Sequence, residues 1–135
     1  MKYQSTRNSD IKINSAEAIK QGISVDGGLF VPETIPAVSA EEIIEFVNMT
    51  YEERAQKVLS KFLTDYTPDE LEDCCKKAYS FEKFPVAGTA PVKKLNDQTY
   101  MLELWHGPTC AFKDMALQIL PHLLTKAVKK TGEDK

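Results

Sequence analysis

The 135-residue sequence has only three cysteines, and two of them, Cys74 and Cys75, are adjacent. An odd number with this spacing suits neither a disulfide framework nor a zinc site, so we expect reduced thiols and no metal. The chain also lacks an apolar run of the ~18 residues that span a membrane. Its first residues lack the apolar segment of a secretory signal. We therefore expect a cytoplasmic protein.

The sequence also lacks an excess of basic residues. Lys and Arg number 17 against 20 Asp and Glu, a formal net charge of -3, which argues against a nucleic-acid-binding protein. The only arginines are Arg7 and Arg54. Arginine suits bidentate contacts with anions better than lysine does, although most arginines are simply solvated surface residues. The hydrophobic fraction of 42% is ordinary for a globular chain, so a disordered protein is also excluded.

The N-terminal half predicts four short helices, each beginning with a capping box. The capping pairs are Asn14 with Glu17, Ser39 with Glu42, Thr50 with Glu53, and Thr67 with Glu70. Cys74 and Cys75 fall on the apolar face of the fourth helix, which favours core packing over redox chemistry. Asp26-Gly27-Gly28 separates two short β-type runs and predicts a hairpin or tight turn.

After a boundary within residues 80–89, the pattern changes to strand, turn and strand over residues 91–105. A loop follows at residues 106–109, and then one amphipathic helix that begins near Ala111, is kinked by Pro121 and ends at Gly132. A strand followed by a helix is half of a βαβ unit. The second parallel strand of that unit is missing, so we expect the chain to be truncated within a fold and to end in a polar tail. Apolar surface meant for the missing strands would be exposed, and we therefore expect self-association.

Lys113 is the strongest candidate for chemistry. It follows a strand and a Gly-Pro loop and is predicted in the first turn of the helix, where α/β folds place functional groups. The positive end of the helix dipole, with partial burial beside Phe112, would favour the neutral amine. A neutral amine is the form that attacks a carbonyl carbon, as a Schiff-base lysine must.

The run Pro108-Thr109-Cys110-Ala111-Phe112-Lys113-Asp114 resembles the pyridoxal-phosphate lysine motif of the threonine synthase family. Residues 3–7 and residues 22–32 are similar to two earlier signatures of that family, in the same order. The resemblance implies an α/β chain. An α+β N-terminal domain over residues 1–85 would precede the truncated start, residues 86–135, of a fold-type II pyridoxal-phosphate domain.

The resemblance also implies an activity: a pyridoxal-5'-phosphate-dependent lyase of threonine biosynthesis that converts O-phospho-L-homoserine and water to L-threonine and phosphate. Lys113 would hold the cofactor as a Schiff base and then move protons on the substrate. Phe112 would pack near the cofactor ring. Thr109 would bind cofactor or substrate, or cap the helix, and Asp114 would orient the lysine or favour the helix N-terminus. His106 and Arg7 are the candidates for substrate binding, and His106 is alternatively a residue that structures its loop.

Two features separate this chain from the shorter relatives, which read Ser-Phe-Lys-Asp-Arg. Ala111 precedes Phe112 and Met115 follows Asp114 here, which indicates the longer class with an extra N-terminal domain.

The six glycines form no glycine-rich loop for the cofactor phosphate. We therefore expect the chain on its own to be inactive and to lack tightly bound cofactor.

Two other functions are compatible with these residues. A related phospho-lyase would use the same lysine to give a 2-oxo acid instead of threonine. Alternatively, residues 1–85 would form a non-catalytic interaction domain, since their capped helices carry no convergent polar groups. The strand, Gly-Pro-Thr loop and helix-start lysine of the second segment argue against this last reading.

Overall fold

The computed structural model describes residues 1–132, so most of the predicted polar tail lies outside the described residues. The chain folds into β1 Tyr3–Ser5, β2 Lys12–Ile13, α1 Ser15–Gln21, β3 Phe30–Pro32, α2 Ala40–Phe46, α3 Tyr51–Phe62, α4 Pro68–Ala78, β4 Val92–Lys94, β5 Tyr100–Leu102, α5 Asp114–Leu117 and α6 Leu120–Lys130. The predicted mixture of helices and strands is confirmed.

All four predicted capping boxes are present, at the starts of α1, α2, α3 and α4. In α3, for example, the Glu53 carboxylate accepts a hydrogen bond from the Thr50 backbone N–H at 2.7 Å, and the Glu53 N–H donates to the Thr50 hydroxyl at 3.3 Å. Pro68 stands at the start of α4, where its missing N–H has no partner to lose. These helix starts are encoded locally, within four residues each.

The Asp26-Gly27-Gly28 turn forms and closes an antiparallel bridge between Ile23 and Leu29. The predicted hairpin is nevertheless only partly correct. The strand that follows the turn, β3, pairs with the N-terminal strand β1, which in turn pairs with β2, so the sheet order is β2-β1-β3. Strand β1 has three residues, too short for a period-2 pattern to be visible in the sequence.

The hydrophobic core is centred on α4. Leu71, Cys74, Cys75 and Ala78 are each 1% exposed or less, so the prediction that the two cysteines pack in the core is confirmed. Further members of the same cluster come from the rest of the chain, among them Ala16, Leu63, Tyr66, Phe84, Ile119, Leu123 and Ala127. The core therefore draws on residues from both sides of the predicted boundary at 85/86, and that boundary stays a prediction.

The second strand pair is confirmed: β4 and β5 are antiparallel, with Val92 opposite Leu102. The helix predicted after it is wrong in two respects. It begins at Asp114, not near Ala111, because the carboxylate of Asp114 accepts the hydrogen bonds that hold the preceding loop in a turn. Pro121 also does not kink one helix; it lies in the first turn of a separate helix, α6, where proline is well tolerated.

Among the described residues, no helix is long and apolar enough to cross a membrane. The same residues contain no group of three or more His, Cys, Asp or Glu side chains that could hold a metal ion.

Candidate active site

The loop of residues 106–113, here named the Lys113 loop, is built around the carboxylate of Asp114. Oδ2 of Asp114 accepts hydrogen bonds from the Thr109 backbone N–H at 2.8 Å and from the Thr109 hydroxyl at 2.9 Å. Oδ1 accepts a bond from the Gln118 amide at 3.3 Å. Burial raises the pKa of the Asp114 carboxyl, but the bonds from Thr109 and Gln118 outweigh it, so its pKa lies below the ordinary value.

Gly107 packs directly against this carboxylate. A Cβ atom at residue 107 would lie 2.5 Å from Cβ and 2.6 Å from Oδ2 of Asp114, so a larger residue does not fit. The Cys110 N–H donates to the Gly107 carbonyl at 3.1 Å, and Cys110 has a φ of 58°, which is uncommon for a residue other than glycine. The Lys113 loop is thus a tight turn fixed from within by Asp114.

A second buried carboxylate, Glu103, holds the start of the loop. His106 Nε2 donates to Glu103 Oε2 at 2.7 Å, and Lys93 Nζ lies 3.3 Å from Oε1. The hydrogen bond from His106, opposed by burial and supported by Lys93, holds the pKa of Glu103 below its ordinary value. Sequence reasoning missed Glu103. The signal available was a single charged residue inside the apolar run of residues 100–105, three residues before His106.

Lys113 and Phe112 line a cavity of about 520 Å³, here named the Lys113 cavity. Its other walls are largely apolar and come from residues that include Leu102, Leu104 and Met115. Partial burial of the lysine beside Phe112 was expected, and this is wrong: both side chains are exposed, Phe112 to 65%. Lys113 occupies the position just before the first residue of α5, so its amine stands at the start of that helix.

The N-terminal region supplies the remaining side of the Lys113 cavity. Tyr51 and Arg54, from the first turns of α3, line it together with Lys113. Tyr51 packs edge-on against Tyr79, with ring centroids 5.0 Å apart, and the Tyr79 hydroxyl donates to the Met115 carbonyl at 2.8 Å. Sequence reasoning placed Tyr51 and Tyr79 on apolar faces but gave neither a role here, because the contacts join residues 28 to 62 positions apart.

The predicted site residues therefore divide into three sets. Lys113 and Phe112 face the cavity. Thr109, Asp114 and His106 lie in or beside the Lys113 loop. Thr109 does not cap a helix, because α5 begins only at Asp114 and Lys113 occupies the cap position. Arg7 is not among the residues that line the cavity: its guanidinium donates to the Asp26 carbonyl at 3.0 Å and braces the Asp26-Gly27-Gly28 turn.

The residues of the Lys113 cavity fit the ring end of pyridoxal phosphate. Within residues 1–132, the Lys113 amine makes no hydrogen bond or ion pair, so it is available to a carbonyl group. The apolar walls and the exposed Phe112 ring offer contact surface to an aromatic ring, and the volume is in the range of about 300–1,000 Å³ typical of ligand sites. The described residues contribute no glycine-rich nest for the cofactor phosphate.

Most of the chain matches one known family. The sequence model described as "Threonine synthase N terminus" matches residues 2–79. The chain is 38% identical to a threonine synthase of Pseudomonas aeruginosa over 98% of its own length and 28% of the relative's. It is 39% identical to the human protein "Threonine synthase-like 1" over 84% of this chain and 16% of that one.

The structural likeness extends over nearly the whole chain. A crystal structure of PLP-bound threonine synthase from Brucella melitensis superposes with a TM-score of 0.89 at 32% identity, covering 98% of this chain and 28% of that one. Similarity in sequence and in fold thus points to one family, and this chain spans 28% of the Pseudomonas relative's length and 16% of the human relative's. The chain belongs to the threonine synthase family and corresponds to its N-terminal region.

Proposed function

We propose that this chain supplies the catalytic lysine of a pyridoxal-phosphate enzyme that converts O-phospho-L-homoserine and water to L-threonine and phosphate. The observation that carries the proposal is the position of Lys113: its amine is exposed on an apolar cavity at the start of α5, at the end of a loop held rigid by Asp114. Because the chain covers 28% of the Pseudomonas relative, the reaction is proposed for the complete protein.

Each residue of the site has a separate task. Pyridoxal phosphate, when bound, supplies an electron sink for negative charge that develops on the substrate carbons. Lys113 would hold the cofactor through its amine, and the same amine would take and return protons at the substrate carbons. Phe112 covers part of the ring. Thr109 and Asp114 are positioning residues, since their hydrogen bonds fix the loop that presents Lys113.

The proposal keeps the division predicted from the sequence. Residues 1–85 form the N-terminal domain, and residues 86–135 begin the cofactor domain. The chain on its own is inactive and binds the cofactor weakly, because it contributes no phosphate nest. Its other sequence-based expectations, a cytoplasmic location and self-association through exposed apolar surface, belong to the same proposal.

The test of the activity is phosphate release from O-phospho-L-homoserine by the complete protein, with Lys113→Ala and Lys113→Arg beside it. Both variants should lose release by several orders of magnitude, since neither side chain can bond to the cofactor's aldehyde carbon. Lys94→Ala, which removes an exposed lysine outside the cavity, is the matched control. Unchanged release from a folded Lys113→Ala protein would refute the assignment. A complete protein that takes up no cofactor would favour the interaction-domain function instead.

A second test concerns the chain on its own. Absorbance titration with pyridoxal phosphate, followed by borohydride reduction and peptide mapping, should give weak modification spread over several lysines. Stoichiometric modification of Lys113 alone would contradict the expectation that the cofactor needs further parts of the protein.

One alternative reaction would use the same lysine. A phospho-lyase would take the same substrate to a 2-oxo acid, ammonia and phosphate. Phosphate release occurs in both reactions, so product identification by mass spectrometry separates them: threonine supports the proposal, and 2-oxobutanoate supports the alternative.

A further inference from the structure

The Lys113 cavity is lined by two cations from different parts of the chain. Lys113 lies at the start of α5, and Arg54 projects from α3 on the other side. No Asp or Glu is among the described residues that line the cavity. Two positive charges around an apolar cleft without a counter-carboxylate produce a local positive potential, which concentrates anions.

The Arg54 guanidinium is only partly used by the protein. Its Nε donates to the Phe46 carbonyl at 2.8 Å, which satisfies a carbonyl at the C-terminal end of α2. Within residues 1–132, its two terminal NH₂ groups make no ion pair and no further hydrogen bond. The bond at Nε restrains the side chain, and four donors remain for a ligand.

The chemistry of these donors indicates the ligand class. A guanidinium offers paired N–H groups in a plane, which match two oxygens of a phosphate better than an ammonium does. The neighbouring lysine reacts with carbonyl compounds under the proposed function. A small molecule that suits both groups is a phosphate monoester whose other end is chemically transformed at Lys113.

We propose that Arg54 is a phosphate-binding residue of the Lys113 cavity, which takes up a small phosphate monoester between α3 and the start of α5. This inference rests on the proposed function for the identity of the monoester, which is either the substrate O-phospho-L-homoserine or the cofactor. The N-terminal region would thereby contribute directly to binding and not only to the fold.

The first experiment requires no catalysis. The Arg54 side-chain Nε–H signal is followed by NMR in this chain during titration with inorganic phosphate, with Arg54→Lys as the assignment control. A saturable shift that is lost at high salt supports the proposal. A signal that does not move up to tens of millimolar phosphate overturns it. Because Lys113→Ala removes the reactive amine and leaves Arg54 in place, the same shift in that variant shows that phosphate binding is independent of the proposed chemistry.

The second experiment uses the complete protein and separates the two sources of phosphate. In Arg54→Gln, loss of charge-assisted hydrogen bonds should weaken binding about 10- to 100-fold. A raised KM for O-phospho-L-homoserine with unchanged cofactor affinity identifies the substrate as the ligand. A raised cofactor dissociation constant, measured by absorbance, identifies the cofactor. Lys57→Gln, one turn further along α3 and outside the cavity lining, is the charge-matched control and should change neither quantity.

Failure of this inference is distinguishable from failure of the proposed function. If Arg54→Gln lowers only the melting temperature, Arg54 merely anchors the end of α2 and the inference is overturned, even if Lys113→Ala still abolishes phosphate release. If Lys113→Ala retains phosphate release, the proposed function fails, and the phosphate titration still decides the role of Arg54.

Discussion

The regions before and after the segment 80–89 differ in how their side chains are used. In the first region, α4 buries its apolar face completely, and each helix start is closed by a capping box. In the second region, all six residues of β4 and β5 are exposed, and the two carboxylates of the site, Glu103 and Asp114, are buried. Capped helix starts and a shared core thus stabilise the first region, whereas polar contacts fix the loop of the second region that presents Lys113.

The largest effect on stability is expected when the same substitution, Leu to Ala, is made at a core position in the first region and at a surface position in the second. Leu71→Ala removes a side chain that is 1% exposed at the centre of the core, and we expect a loss of about 2–5 kcal/mol in the free energy of unfolding. Leu95→Ala, at a position 57% exposed, should cost less than about 0.5 kcal/mol. Urea unfolding followed by circular dichroism measures both. Equal losses would mean that the second region is packed as tightly as the first.

A smaller effect is expected where the loop touches Asp114. Gly107→Ala places a methyl group about 2.5 Å from the Asp114 Cβ, which forces the loop apart and should cost about 1–3 kcal/mol. Under the proposed function, the complete protein should then lose most of its pyridoxal-phosphate absorbance while keeping its far-ultraviolet spectrum. Gly22→Ala, at a φ of 75° with open space around it, controls for backbone strain remote from the site. Full cofactor occupancy in Gly107→Ala would show that the loop tolerates displacement.

A third prediction concerns the charge of Asp114. Its pKa in the folded protein lies below the ordinary value, so its contribution to stability is complete above about pH 4 and is lost as pH falls through the folded pKa. Asp114→Asn should lower the melting temperature at pH 7, because its amide nitrogen must replace either Oδ2, which accepts both Thr109 bonds, or Oδ1, which accepts the Gln118 bond. The same variant should flatten the fall in melting temperature below pH 4.

Thermal melts from pH 7 to pH 2.5 test this prediction, with Asp10→Asn on the exposed N-terminal loop as control. The interpretation fails if Asp114→Asn and the parent protein lose stability in parallel as the solution is acidified.

The smallest effect is expected at the surface link between α4 and α6. Asp73 accepts from Lys77 at 2.7 Å and from Lys126 at 3.0 Å, and these bonds lower the pKa of Asp73 to about 2. The pair should lose its contribution as pH falls from about 4 to about 2. Asp73→Asn should therefore lower the melting temperature slightly at pH 7 and not at pH 2. Addition of salt should shrink the difference, since exposed ion pairs are screened; a difference insensitive to salt would contradict this.

Sequence reasoning succeeded where the interacting residues are close in the chain. The capping boxes, the Asp26-Gly27-Gly28 turn and the β4–β5 pair were all predicted, because each depends on residues fewer than about twelve positions apart. The start of α5 was misplaced, because helix propensity over residues 111–113 is overridden by the hydrogen bonds from Thr109 to Asp114. Arg54 stood out only as a rare residue type, and nothing local connected it with Lys113.

The sequence by itself determined the family, the candidate lysine and the four capped helix starts, because motif chemistry and capping act over a few neighbouring residues. Only the tertiary structure decided what surrounds the lysine. Arg54 and Lys113 are separated by 59 positions and meet at one cavity because α3 packs on α4, and the Tyr79 hydroxyl at the end of α4 binds the Met115 carbonyl in α5. Contacts between residues this far apart in the sequence depend on how the apolar faces of the helices pack, and packing is a property of the whole chain.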